Sequence, residues 1–187
     1  LIAGAGGEIM DGGEGIDTID YSASTALGLN LNTGETSGSA LGDIITNIEN
    51  VIGSANADAI VGNDLANRIE GGLGDDSIDG GVGNDTLSGG QGNDQFVFDT
   101  AIGAGNVDSL LDFSKVGQSD KILLDDAIFT ALTTANLAAS FGTKLLYNAA
   151  TGALSYDADG AGSAFAAIEF ARLASKPALT ASDFLVI

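Results

Sequence analysis

Between residues 53 and 97 the apolar positions recur every nine residues. The chain there divides into GSANADAIV (53–61), GNDLANRIE (62–70), GGLGDDSID (71–79), GGVGNDTLS (80–88) and GGQGNDQFV (89–97). An isolated unit of the same form, GGEGIDTID, occupies 12–20, and a degraded one, AGAGGEIMD, precedes it at 3–11 with Glu8 at its sixth position. The eighth position is Met10, Ile19, Ile60, Ile69, Ile78, Leu87 and Phe96; the sixth is Asp17, Asp58, Asn67, Asp76, Asp85 and Asp94. Nine residues rotate an α-helix through about 900°, so successive apolar residues would face opposite sides. One continuous strand fails too, because nine is odd and side chains alternate with period two. A chain that turns once per unit can point every eighth side chain inward, with glycine supplying the positive φ and close backbone approach at the turn. The residues around each eighth position then form a short strand, and two units make one coil with two parallel sheets packed through their apolar faces.

Outside this block the patterns change. Leu27, Leu29 and Leu31 alternate as in a half-buried strand that ends at Asn32-Thr33-Gly34. Residues 44–52 read as a degenerate coil with Val51 at position eight. VDSLLDF (107–113) and DKILLDD (120–126) read as strands separated by a polar turn with Gly117, and the Ala- and Thr-rich 127–141 as short helical turns. KLLYN (144–148) and ALSYD (153–157) form a hairpin signal, and Phe184–Ile187 a last core strand. The fold class is all-β.

Composition narrows the chemistry. The chain has 26 acidic and 6 basic residues, a formal charge of −20, and 28 Gly, yet 44% of its residues are hydrophobic. That is too apolar for the usual disordered signature. The acids cluster: 71–97 holds Asp75, Asp76, Asp79, Asp85 and Asp94 with no Lys or Arg. Without cations this segment repels itself, and its charge argues against a nucleic acid or anionic membrane as a partner. Neither Cys nor His occurs, which removes disulfides, thiol catalysis, zinc–thiolate sites and histidine acid–base chemistry. No G-x-S-x-G elbow is present. No apolar run approaches the ~18 residues of a membrane span. The start at Leu1, with no basic n-region, reads as a cut into a longer protein.

Three tandem perfect copies of G-G-x-G-x-D-x-U-x (71–97, U apolar) resemble the RTX (repeats-in-toxin) nonapeptide, a calcium-binding β-roll repeat. The resemblance implies a parallel β-roll, a β-solenoid of nonapeptide repeats, with flanking strands and a C-terminal β-rich cap. It implies Ca²⁺ between turns stacked one coil apart, held by position-six carboxylates and by glycine carbonyls. Carried onto this chain, the ligands are Asp17, Asp58, Asn67, Asp76, Asp85 and Asp94 with Gly71, Gly72, Gly74, Gly80, Gly81, Gly83, Gly89, Gly90 and Gly92. Asp58 pairs with Asp76, Asp76 with Asp94, and Asn67 with Asp85. The Asn67 turn keeps only its first glycine, so that site is expected to be weaker or to recruit Asp64. Ca²⁺ is a hard cation that takes six to eight oxygens, more than one Asp per turn supplies. The implied total is roughly three to five ions.

The segments after 100 resemble those that follow the repeats in serralysin-type proteases, and LTASDFLVI resembles the uncleaved C-terminal signals of type I secreted bacterial proteins. The expected divisions are an N-terminal RTX coil (1–20), a strand insertion that rejoins the roll (21–52), the calcium-binding roll (53–98), and a C-terminal cap with the secretion signal (99–187). Asp99, Asp108 and Asp112 have two readings, a cap on the last calcium or a solvated acidic face, and the solvated face is the one expected. Asp157-Ala-Asp159-Gly160 resembles the start of an EF-hand loop, but Ile168 stands where the bidentate Glu belongs and Glu169 falls one residue late, so a polar turn is expected. The resemblance implies a secreted, extracellular, non-catalytic module with calcium and the type I secretion machinery as partners. The alternative is an adhesin-like module for polysaccharide or a cell surface. That reading wants a basic or aromatic stripe, whereas Lys115, Lys121, Lys144, Arg172 and Lys176 are scattered.

Overall fold

The computed structural model describes residues 1–3, 6–114, 116–160 and 166–187; Lys115 and part of the EF-hand-like loop lie outside them. Strands in chain order are β1 (Ile9–Asp11), β2 (Thr18–Asp20), β3 (Leu27–Asn30), β4 (Thr36–Gly38), β5 (Ile44–Thr46), β6 (Asn50–Ile52), β7 (Ala59–Val61), β8 (Arg68–Leu73) and β9 (Ser77–Asp79). They continue with β10 (Thr86–Gln91), β11 (Gln95–Phe98), β12 (Asp108–Leu110), β13 (Lys121–Leu124), β14 (Leu145–Asn148), β15 (Ala153–Tyr156), β16 (Ile168–Leu173) and β17 (Phe184–Val186). The helix α1 (Leu137–Ser140) is a single turn.

The strands stack into two main sheets, ordered β14-β15-β16-β12-β10-β8-β6-β2 and β17-β13-β11-β9-β7-β3-β4, beside a small β1-β5 pair. Successive nonapeptides alternate between the sheets. Within each sheet Leu87 therefore lies on Ile69, and Phe96 on Ile78, in parallel register. Among the described residues the β3–β4, β14–β15 and β15–β16 strand pairings are antiparallel and the other strand pairings parallel. This is a parallel β-roll. β8 and β10 outrun the expected three residues because the backbone of Gly72 pairs directly with that of Gly90 in the next coil.

The core is the ladder of eighth-position side chains: Ile19, Ile60, Ile69, Ile78, Leu87 and Phe96 are all buried. Val51 from the degenerate coil and Leu29 from β3 fill the same layer, beside Ile69 and Ile60. Past Phe96 the roll is closed by aromatics. Phe98 and Phe129 each meet Phe170 edge-on, at 5.1 and 5.0 Å between ring centroids, which favours the pairs beyond their buried area. Both main sheets are continued by late strands: β16 lies beside β12 and β17 beside β13. Among the described residues no helix is long and apolar enough to cross a membrane.

Candidate metal centre

The glycine turns stack too closely for side chains. A Cβ on Gly90 would overlap the Gly72 carbonyl oxygen, and one on Gly92 the Gly74 oxygen. Both residues also hold positive φ, +97° and +147°, which L side chains rarely adopt. Gly72, Gly74, Gly81 and Gly83 repeat this geometry. Gly71, Gly80 and Gly89 open their turns directly over the carboxylates of Asp76, Asp85 and Asp94. The stacking thus brings the carbonyls of one turn against the backbone of the next.

Beside the carbonyls runs a ladder of carboxylates. Asp76 Oδ1 accepts the backbone N–H of Asp58 at 2.9 Å, and Asp94 Oδ1 that of Asp76 at 3.0 Å. On the other flank Asp85 Oδ1 accepts the N–H of Asn67 at 2.8 Å. Each rung joins residues 18 apart. The second oxygens tell a different story: Oδ2 of Asp76, Asp85 and Asp94 is buried with no hydrogen-bond partner. Burying a carboxylate oxygen without a donor or cation is costly, and such groups call for a missing partner.

The electrostatics agree. Burial, then the charges of Asp58, Asp94 and Asp75, push the Asp76 carboxyl from 3.8 up to about 7 against the pull of the Asp58 N–H. Burial raises Asp85 and Asp94 to about 6. No basic side chain answers them: the ion pairs of the described residues, Arg68–Glu70 and Arg172–Glu169, lie elsewhere. Nor do three acidic side chains converge on one point among the described residues. A cation here would draw its other oxygens from backbone carbonyls. Orphaned carboxylate oxygens, stacked carbonyls and uncompensated charge form a hard, all-oxygen donor set, which suits Ca²⁺.

The other expected ligands are placed differently. Asp58 is buried but fully partnered: Oδ2 accepts the Ser54 N–H at 2.5 Å, and Oδ1 accepts the Ser54 hydroxyl at 3.0 Å and the Leu27 N–H at 2.9 Å. Asn67 Oδ1 accepts the Asn63 N–H, and Nδ2 donates to the Glu49 carbonyl. Asp64 is exposed. The stacking partner of Asp17, unreadable in sequence, is Glu49, whose Oε2 accepts the Asp17 N–H at 2.9 Å.

Two ladder members lie beyond the nonapeptides. Asp108 Oδ1 accepts the Asp85 N–H across 23 residues, and Asp120 Oδ1 the Asp94 N–H across 26. The expectation of a solvated acidic face is therefore wrong for Asp108, which is buried; burial and the nearby Asp85 push its carboxyl to about 8. Asp112 closes the edge of the last glycine turn, accepting the N–H groups of Gly89 and Gly90. The available signal was the pair Asp108-Ser109-Leu110 and Asp120-Lys121-Ile122, each an Asp two residues before an inward apolar side chain, as at Asp85 and Asp94.

In the EF-hand-like segment Asp157 is buried and accepts the Gly160 N–H at 3.1 Å, the bond of a tight turn.

The family model of the RTX calcium-binding nonapeptide repeat (4 copies) matches residues 1–20 and 61–96. No curated protein matches the chain.

Proposed function

Residues 1–20 and 61–96 match RTX calcium-binding repeats, and from that premise we propose that the chain is a non-catalytic RTX module that folds on binding Ca²⁺ after type I secretion and carries its export signal in its last residues. The observation that carries the reading is the set of buried, unpartnered Oδ2 atoms of Asp76, Asp85 and Asp94. These three would hold the ions together with the carbonyls of Gly71, Gly72, Gly74, Gly80, Gly83, Gly89 and Gly92. The carbonyls of Gly81 and Gly90 already accept the Thr100 hydroxyl and the Gln118 amide. We assign Asp108 and Asp120 to the same set, as the last rungs.

The roll is poor in the usual sources of stability. Each nonapeptide contributes one inward side chain, while all nine of its residues must be ordered. The stacked carboxylates add repulsion. A cation that binds only the folded chain turns binding free energy into folding free energy. Extracellular calcium modules work at about 10⁻⁴–10⁻³ M, so the repeats are largely unfolded in a low-calcium cytosol and fold outside. The unfolded state suits passage through a narrow channel. In this reading the roll proper is 53–98, 1–20 supplies an upstream coil, 21–52 rejoins the roll, and 99–187 caps it and bears the signal; the ions number roughly three to five.

Circular dichroism of the chain in EDTA and in millimolar Ca²⁺, paired with calorimetric ion counting, tests the proposal. A large gain of β signal on adding Ca²⁺ is expected. A β signal of equal strength in chelator defeats it.

A further inference from the structure

Building on the calcium-driven folding just proposed, we infer that the second residue of each turn decides whether that turn needs metal: Ser54 and Asn63 close their turns on protein donors, so the coil 53–70 holds without calcium and templates the glycine turns that follow. The stacked turns fall into two kinds. In the first, the second residue is not glycine and does not take positive φ. Its N–H then points back into its own turn and bonds the sixth side chain. Ser54 N–H donates to Asp58 Oδ2 at 2.5 Å, and Asn63 N–H to Asn67 Oδ1 at 2.8 Å. The Ser54 hydroxyl adds a bond to Asp58 Oδ1 at 3.0 Å. Asn67 brings no charge, and its Nδ2 spends its protons on the Glu49 carbonyl and Asn63 Oδ1.

In the second kind, the second residue is a glycine with positive φ: +116° at Gly72, +84° at Gly81 and +97° at Gly90. The N–H swings out of the turn. That of Gly81 goes to Asp79 Oδ1 at 2.9 Å, and that of Gly90 to Asp112 Oδ2 at 2.9 Å. These are the turns whose sixth-position Oδ2 is left buried and unpartnered. The same backbone choice that draws the carbonyls together therefore also removes the donor that would otherwise satisfy the carboxylate. By this criterion 12–17 belongs to the second kind, since Gly13 holds φ +83° and gives its N–H to Asp11 Oδ1.

The coil 53–70 is also supported from upstream without metal. β7 lies beside β3 and β8 beside β6. Asp58 bonds the Leu27 N–H, and Asn63 Nδ2 bonds the Ile48 carbonyl at 3.1 Å. The glycine turns stack onto this coil.

Hydrogen exchange of the full chain in EGTA and in Ca²⁺ separates the possibilities. Amides of β6, β7 and residues 68–70 of β8 should exchange slowly in both media, and those of β9, β10 and β11 only with calcium. If β7 exchanges as fast as β9 in chelator, the inference fails while calcium-driven folding stands. If β9–β11 are equally protected in chelator, both fail. The variant Ser54→Gly supplies an independent reading. It should bind one more Ca²⁺ per chain by calorimetry and lose chelator protection at β7, whereas Ser54→Ala, which keeps a Cβ, should bind the wild-type number. An unchanged ion count in Ser54→Gly, or a raised one in Ser54→Ala, overturns the inference.

Discussion

Replacing Asp76 with Asn is expected to act with opposite signs in the two states of the roll. The substituted amide would retain an oxygen for the Asp58 N–H, the bond that Oδ1 makes at 2.9 Å, but would lose the charge. Burial and neighbouring acids hold the Asp76 carboxyl at about 7 instead of 3.8. At about 1.4 kcal/mol per tenfold, the charged form is disfavoured in the metal-free roll by ~2–4 kcal/mol, the lower figure allowing for solvent screening. The folded value lies above the unfolded one, so the stability this carboxyl lends is complete below about pH 3.8 and is lost as pH rises through about 7. In EDTA near pH 8, Asp76→Asn should therefore be more stable than wild type by ~2–4 kcal/mol, and near pH 4 the two should be about equal. In millimolar Ca²⁺ the sign reverses, because a ligand is gone, and the variant should hold fewer ions. Far-UV circular dichroism at both pH values gives the comparison, with urea titrations in Ca²⁺ and titrations with a stabilising osmolyte in EDTA, where the roll starts largely unfolded. A variant less stable than wild type in EDTA near pH 8, or equally stable with full ion content in Ca²⁺, refutes the reasoning.

Three further outcomes are expected. Gly92→Ala puts a Cβ onto the Gly74 carbonyl at φ +147° and should lower stability in Ca²⁺ by at least ~2 kcal/mol, read from thermal melts. Asp108→Ala strips the Asp85 N–H of its acceptor and should cost ~1–3 kcal/mol, whereas Asp108→Asn should recover most of that stability and still bind fewer ions by calorimetry. Removing residues 183–187 takes β17 from β13 and the Asp183 carboxylate from the Thr180 N–H; in a type I secretion reporter it should abolish export, and wild-type export by the shortened chain excludes the signal there.

The repeats were the legible part of the chain. A nine-residue period with apolar eighth positions is enough to place Leu87 over Ile69 and Phe96 over Ile78, because a coil of fixed length leaves one register. Legibility fails where coil length changes. Asp108 and Asp120 continue the ladder across 23 and 26 residues, and no fixed period reaches them. Asp58 carries the same sequence signal as Asp76, yet the two carboxylates differ in what they accept. That difference lies in the backbone direction at Ser54 and Gly72, which a consensus letter at position six does not encode. The seating of β16 beside β12 is set by the aromatic packing of Phe98, Phe129 and Phe170, a contact between segments with no common pattern.

The way the two sheets end gives folding a clock. Inside the roll, each new rung closes a loop of 18 residues. At the cap the chain must return from much further away: the Lys121 ammonium meets the Ser182 carbonyl across 61 residues, and the Ser175 hydroxyl meets the Phe113 carbonyl across 62. Loop closure of that length costs about 1 kcal/mol more than a single coil does, and distant pairings slow folding in general. Stacking of the coils is then the fast phase, while the seating of β16 and β17 is the slow one. Until the slow phase completes, the outer edges of β12 and β13 stay open, and the lifetime of those open edges sets how long a newly formed roll can pair with the wrong strand.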